Sequence, residues 1–173
     1  GLRVLGDVTK EEALANRGKD GAPVDKIKQA DYEKGMKEAY AHYQRGADAG
    51  DRVSLRLLAE GHDEGVPGMP RNYELGTEFL RRAAMRRDLV AISRLAVRLE
   101  EGQKAPRDLA QAYAWRLVLT QLTGLATDTA ALDQLEHTMR LPEVQSGQTA
   151  AAKILKELPS EAADALSRLH TSR

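Results

Sequence analysis

Two pairs of adjacent carboxylates are the first residues whose types could do chemistry: Asp63-Glu64 and Glu100-Glu101. Two carboxyl groups that face one cleft can perform general acid–base catalysis when the pKa of one of them is raised. Both pairs stand near the predicted carboxyl ends of helices, where the helix dipole disfavours anions. We interpret them as solvated charges beside loops or as contacts for a basic partner, with catalysis as the alternative.

The four histidines, at positions 42, 62, 137 and 170, are scattered along the chain. His62-Asp63-Glu64-Gly65 comes nearest to the HExxH zinc motif but has the wrong spacing. His42 and His62 are predicted to pack as flat, half-buried rings between helices, and a metal or catalytic role is the alternative.

Other signatures of catalysis are missing from the sequence. It contains no cysteine, no G-x-S-x-G or Ser-x-x-Lys motif, no phosphate loop and no glycine-rich dinucleotide turn. We therefore predict that the chain is not an enzyme and that it needs no metal and no cofactor.

An arginine-rich stretch is the most informative of the charged features. Residues 71–98 contain seven arginines against three acids, whereas residues 31–51 and 124–173 each carry a net charge of −2. Arginine near the end of a helix complements the dipole and pairs with an acid one turn away, as Glu78 would with Arg82. The functional alternative is a basic patch for an acidic protein surface, to which arginine makes bidentate contacts.

The composition indicates which elements must carry these residues. The chain has 173 residues, of which 42% are hydrophobic and only 4% aromatic, so a core of small and aliphatic side chains on helices is expected. Basic and acidic residues number 26 each, and this balance counts against nucleic-acid binding. No apolar run approaches the roughly 18 residues that a membrane span needs.

Two sequence patterns recur along the chain. Ser54 to Gly65 matches Ala91 to Gly102, 37 positions later, and the stretch from Ala39 recurs from Gly76 and, more loosely, from Ala112. Small residues at i and i+8, with large ones at i+3, i+4 and i+7, share one face of a helix. Each unit is therefore predicted to be helix, turn, helix, and no unit can bury its apolar face alone.

Glycine and proline mark the ends of these helices. Gly65 and Gly102 are predicted to be helix C-caps, where the backbone must adopt positive φ. Val66–Pro70 and Pro106 cannot continue a helix, so each unit turns there.

On these residues the chain resembles the Sel1-like repeat family, a relative of the tetratricopeptide repeats. The matching stretches are Ser54 to Gly65 with Val66-Pro67, Gly76 to Arg87, Ala91 to Gly102, and Ala112 to Leu119. The chain departs from the family pattern at Ala59 and Ala96, which replace a glycine, and at Arg87, which replaces the terminal glycine. Val118-Leu119 replaces Ala-Ala, which suggests that the repeats end there.

The resemblance implies an all-α fold, a right-handed α-solenoid of helical hairpins with C-terminal capping helices. We expect an N-terminal extension at 1–24, an incomplete unit at 25–51, units at 52–87 and 88–124, and a helical cap at 125–173. In the extension, Thr9 to Glu12 would be a capping box that opens a short helix to about Arg17. Further helix starts are predicted at Asp25, Asp128, Leu141-Pro142-Glu143 and Pro159-Ser160-Glu161.

The resemblance also implies a protein-interaction module: an adaptor, inhibitor or regulator that binds a protein partner through the concave face of the solenoid. An immunity protein that neutralises a secreted bacterial effector such as a lipase, and a cell-wall-associated binding protein or hydrolase, remain alternatives. A carbohydrate platform would need exposed aromatic rings, and Trp115 is expected in the core. No signal peptide is visible, and the family favours a periplasmic or exported location over the cytoplasm.

The expected binding residues follow from the repeat. By periodicity the first helices of two units expose charged positions, and the arginine-rich stretch adds two more. The predicted partner-binding residues are Arg56, Glu60, Asp63, Arg94, Arg98, Arg81 and Arg86.

Overall fold

A computed structural model describes residues 2–15 and 26–160 of the chain. The described residues form eight α-helices: α1 Leu2–Ala15, α2 Lys26–Asp48, α3 Arg52–Glu64, α4 Tyr73–Ala84, α5 Leu89–Glu101, α6 Leu109–Thr123, α7 Ala126–Glu136 and α8 Leu141–Glu157. They fall into two compact units, residues 2–79 and 80–160, and the division lies inside α4 between Phe79 and Leu80.

In the first unit, α1 and α3 pack on α2. Gly6 lies against the ring of Tyr43, so close that an added Cβ would be 2.5 Å from a ring carbon. The Tyr43 hydroxyl donates a hydrogen bond of 2.8 Å to Asp7. These contacts tie α1 to the C-terminal part of α2 through residues that are far apart in sequence.

In the second unit, α6 is the central helix, and α5, α7 and α8 pack on it. Its buried side chains include Trp115 and Val118, which confirms the expectation that Trp115 belongs to the core. Gly147 brings α8 close to α6, because an added Cβ would lie 2.8 Å from the carbonyl oxygen of Ala110.

The same capping interactions recur in successive repeats. Asp51 accepts a hydrogen bond from the backbone N–H of Ser54 at the start of α3, and Asp88 does so from Ala91 at the start of α5. Gly65 and Gly102 end these helices with φ of 69° and 71°, which confirms both predicted C-caps. The predicted repeat is thus reproduced in the hydrogen bonds at the helix starts and in the backbone angles at the helix ends.

Two predicted helix starts are wrong. α1 begins at Leu2, so Thr9 lies inside the helix, where its hydroxyl donates to the carbonyl of Leu5 instead of capping. The burial of Gly6 and Ala13 on α2 accounts for this longer helix, because tertiary packing supplies most of the stability of a helix in a protein.

The second correction concerns α7, which begins at Ala126 with Leu125 as its N-cap. Asp128 lies in the first turn and accepts a hydrogen bond of 2.6 Å from the Thr123 hydroxyl. The helix dipole favours an anion in the first turn, so Asp128 stabilises α7 there. It is not the N-cap and does not determine where the helix begins.

The predicted start of α8 is confirmed. Pro142 lies in its first turn, and the Glu143 carboxylate accepts a hydrogen bond of 2.8 Å from the backbone N–H of Arg140. The helix ends with Leu158 as its C-cap. The predicted cap at Asp25, the helix end near Arg17 and the helix after Pro159-Ser160-Glu161 lie wholly or largely outside the described residues.

Candidate functional site

The predicted binding residues of α3 pair with each other. Arg56 Nη1 lies 3.2 Å from Glu60 Oε1, one turn away on the same helix, and the two side chains are 20% and 25% exposed. Asp63, one turn further, is half-buried. The charged side chains in this part of the first unit are therefore half-buried, and two of them already form an ion pair with each other.

The predicted binding residues of α5 differ sharply in exposure. Arg94 is exposed, but Arg98 is only 8% exposed, so the expectation that Arg98 stands on the surface is wrong. Arg98 follows Leu95 by three positions and precedes Leu99, so it falls on the helix face that packs into the core.

Exposed aliphatic side chains occur along α5, and two of them lie on the same helix face as Arg94. Leu89, Val90 and Val97 are 44%, 47% and 36% exposed. We call Val90, Arg94 and Val97 the α5 stripe. Val90, Arg94 and Val97 follow the i, i+4, i+7 spacing that places side chains in one line along a helix.

The arginines of α4 also lie on the surface. Arg81 and Arg82 are exposed in the last helical turn, and Arg86 is exposed just beyond the helix end. Their positions agree with the interpretation that cations complement the carboxyl end of the helix dipole.

The structure assigns the seven predicted residues to two units. Arg56, Glu60 and Asp63 belong to the first, whereas Arg81, Arg86, Arg94 and Arg98 belong to the second. In the second unit the α5 stripe brings an exposed cation and two exposed aliphatic groups together on one helix face.

One of the paired acids, Glu100, is held by an arginine of the neighbouring helix. The Glu100 carboxylate receives two hydrogen bonds from the guanidinium of Arg116, and the Nε donor lies 2.9 Å away. This ion pair joins α5 to α6. The Glu100 backbone carbonyl accepts a further bond of 3.0 Å from Arg107. The Glu100 carboxylate is therefore engaged within the unit, whereas Glu101 is exposed.

Sequence reasoning missed two arginines that close the loops. Arg71 donates to the carbonyl of Glu64 at 3.0 Å, just as Arg107 donates to that of Glu100. Each arginine follows the capping glycine of its repeat, Gly65 or Gly102, by five or six positions. That recurrence was the signal in the sequence that could have identified them.

His42 and His62 are both half-buried, as the sequence predicts. His62 is half-buried and stacks on Phe79, with ring centroids 5.7 Å apart and an interplanar angle of 9°. His42 is also half-buried, and its Nδ1 lies 3.1 Å from Arg45 Nη2. Across residues 2–15 and 26–160, no group of three or more His, Cys, Asp or Glu side chains could hold a metal ion.

Two buried tyrosines were not singled out in the sequence. Burial is the main cause that raises the pKa of Tyr43, and its hydrogen bond to Asp7 adds to the effect. Burial likewise raises the pKa of Tyr40, whose hydroxyl has no hydrogen-bond partner among the described residues. Both phenols stay protonated at neutral pH, so neither can act as a base there.

None of the helices described is both long enough and apolar enough to cross a membrane.

Comparison with protein families identifies the repeat. The Sel1 repeat model matches residues 12–51, 53–88 and 89–115, which together make up more than half of the chain. None of the curated proteins compared with the sequence matches it.

A solved structure shares the fold. It is the crystal structure of a protective antigen present in uropathogenic Escherichia coli strains, which displays an SLR (Sel1-like repeat) fold. The TM-score is 0.63 at 16% sequence identity, and the match covers 95% of this chain and 40% of that chain. The present chain therefore spans less than half the length of that protein. With the fold class confirmed as an all-α solenoid of repeats and three repeats matched, the chain belongs to the Sel1 repeat family.

Proposed function

We propose that the chain is a non-enzymatic protein-interaction module that binds a protein partner through the outward faces of the first helices of its repeats. Sel1 repeat proteins are generally protein-interaction modules. The observation that carries the proposal for this chain is the α5 stripe, where Arg94 lies between two exposed aliphatic side chains. Its role as an adaptor, an inhibitor or a regulator depends on the identity of the partner.

The way α5 is held supports its use as a binding surface. The opposite face of the helix buries Ile92, Leu95 and Leu99, and Glu100 is fixed to Arg116 of α6. A surface on a rigid, packed helix loses little conformational entropy when a partner binds. The stripe is therefore preorganised.

We also propose that the organisation expected from the sequence applies to the chain: an extension at 1–24, repeats at 25–124 and a cap at 125–173. The capped hairpins α3–α4 and α5–α6 support the two complete units. The outward residues of α8, among them Gln145, Gln148 and Lys153, support a terminal cap, because the end of a repeat array needs a polar outer face.

Site-specific photo-crosslinking tests the binding surface. A photoreactive residue at Val97 should crosslink the partner, and the same residue at Lys153, which is exposed on α8, should not. Arg94→Glu should weaken partner binding at least tenfold, equivalent to about 1.4 kcal/mol. Equal crosslinking at both positions, or unchanged binding by Arg94→Glu, would show that the α5 stripe is not the site. Arg98→Glu is unsuitable for this test because the residue is buried.

A further inference from the structure

The α5 stripe has a defined length and order. Val90 and Val97 are seven residues apart, which is about 10.5 Å along a helix, and Arg94 lies between them. Glu101 is exposed one turn beyond Val97. The line therefore presents, in order, an aliphatic group, a cation, an aliphatic group and an anion.

The chemistry of the stripe disfavours an extended peptide. An extended segment presents its own backbone N–H and C=O groups, and each needs a partner once water is excluded. Val90 and Val97 carry no hydrogen-bonding group, and the guanidinium of Arg94 donates but cannot accept. The backbone N–H groups of an extended segment over these residues would find no side-chain acceptor there.

An α-helix avoids this cost because its backbone groups are paired within the helix. Its side chains at i, i+4 and i+7 also match the spacing of the stripe, so ridges of one helix can enter the grooves of the other. Exposed aliphatic residues on the stripe call for aliphatic residues on the partner, since their mutual burial is favourable.

The charges of Arg94 and Glu101 indicate where a charged side chain of the partner would lie. Arg94 has five N–H donors, so it can hold a carboxylate in bidentate geometry in addition to contacts within its own unit. Glu101 repels an anion placed beyond Val97. The carboxylate of a partner is therefore favoured between the two aliphatic contacts and disfavoured at the Glu101 end.

We propose that the docking segment of the partner is an amphipathic α-helix with two aliphatic side chains about seven positions apart and an acidic side chain between them. This inference rests on the proposed function, since it describes what binds at the α5 stripe.

A synthetic probe tests the inference directly. It is a lactam-bridged helical peptide of about 18 residues, mostly alanine and glutamine, with two leucines seven positions apart and two glutamates between them; the bridge is needed because short helices are marginal in water. Binding is measured by NMR titration of the chain. We expect shift changes at α5, Kd raised at least tenfold by Arg94→Glu, and unchanged Kd for the control Lys153→Glu.

A charge exchange isolates the predicted pairing. A peptide in which lysines replace the glutamates should bind the wild-type chain at least tenfold more weakly and should bind Arg94→Glu better than it binds the wild type. Three results would overturn the inference. The lysine peptide could fail to bind Arg94→Glu better than the wild type, or the shift changes could be confined to other helices. A proline-substituted peptide that cannot form a helix could also bind as tightly as the helical peptide.

The two proposals fail in different ways. If crosslinking at Val97 captures a partner but the charge exchange fails, the helical acidic partner is wrong and the binding surface stands. If neither crosslinking at Val97 nor the probe engages α5, the binding surface itself is wrong.

Discussion

At the scale of single residues, Arg87 departs from the repeat pattern, and this departure costs conformational free energy. Its φ is 59°, and it occupies the place that Gly50, with φ of 85°, takes one repeat earlier. A non-glycine residue in the left-handed region costs roughly 1–2 kcal/mol. The Arg87 side chain offsets part of this cost, since Nη1 donates a hydrogen bond of 3.2 Å to the carbonyl of Pro159.

Two substitutions at this position separate the backbone from the side chain. Arg87→Ala and Arg87→Gly both remove the bond to Pro159, but only glycine relieves the positive φ. We expect Arg87→Gly to be more stable than Arg87→Ala by about 1 kcal/mol in urea denaturation. Equal stability of the two variants would contradict the strain at Arg87.

The two buried tyrosines provide a second contrast between residues. Tyr43 donates to Asp7, whereas the Tyr40 hydroxyl has no hydrogen-bond partner among the described residues. Tyr43→Phe should therefore cost about 1 kcal/mol of unfolding free energy, while Tyr40→Phe should be neutral or stabilising. Chemical denaturation at pH 7 measures both, and the reverse ranking would contradict the model of the α1–α2 contact.

The same tyrosines predict how stability depends on alkaline pH. Because the folded chain raises the pKa of Tyr40 and Tyr43, the unfolded chain ionises them first, near pH 10. The contribution of these tyrosines to the free energy of unfolding is fully present below that pH and is lost as the pH rises above it. The fall measured by denaturant titration should be shallower in Tyr40→Phe, and an unchanged slope would argue against its burial.

At the scale of elements, the contact between α6 and α8 depends on Gly147. An added Cβ would lie 2.8 Å from the carbonyl oxygen of Ala110 and 2.7 Å from the Tyr113 ring. The backbone atom cannot move aside as a flexible side chain could, so α8 itself would have to shift. The attachment of α8 to α6 therefore depends on the absence of a side chain at Gly147.

Gly147→Ala should destabilise the chain by about 1–3 kcal/mol, even though alanine is the better helix former. Thermal unfolding followed by circular dichroism measures the effect. The control is Ser146→Ala, at an exposed neighbouring position on α8, which should change stability by less than about 0.5 kcal/mol. A stabilising Gly147→Ala would show that α8 does not approach α6 this closely.

At the scale of the whole molecule, stability should vary from helix to helix. In the second unit α6 is packed by α5, α7 and α8, whereas in the first unit α1 packs on α2 and leaves Val4, Leu5 and Val8 exposed. Helices with more buried contacts open less often. We expect the backbone amides of α6 to exchange most slowly and those of α1 much faster in hydrogen–deuterium exchange. Equal protection of α1 and α6 would contradict this distribution.

The sequence by itself determined the repeat and the positions where several of its helices begin or end. The period, the positive φ at Gly65 and Gly102, and the start of α8 at Pro142 could be predicted because each depends on residues within one or two helical turns. The resemblance to Sel1-like repeats added the fold class on the same residues. These features are local, so short sequence patterns are enough to specify them.

Only the tertiary structure decided which residues are available at the surface. The burial of Arg98, the pairing of Glu100 with Arg116, the bond between Tyr43 and Asp7 and the length of α1 all depend on which helix packs against which. Periodicity defines a helix face but does not reveal how far its neighbours extend over that face. For this reason the sequence predicted a row of exposed charged residues, and the structure leaves Arg94 exposed but buries Arg98.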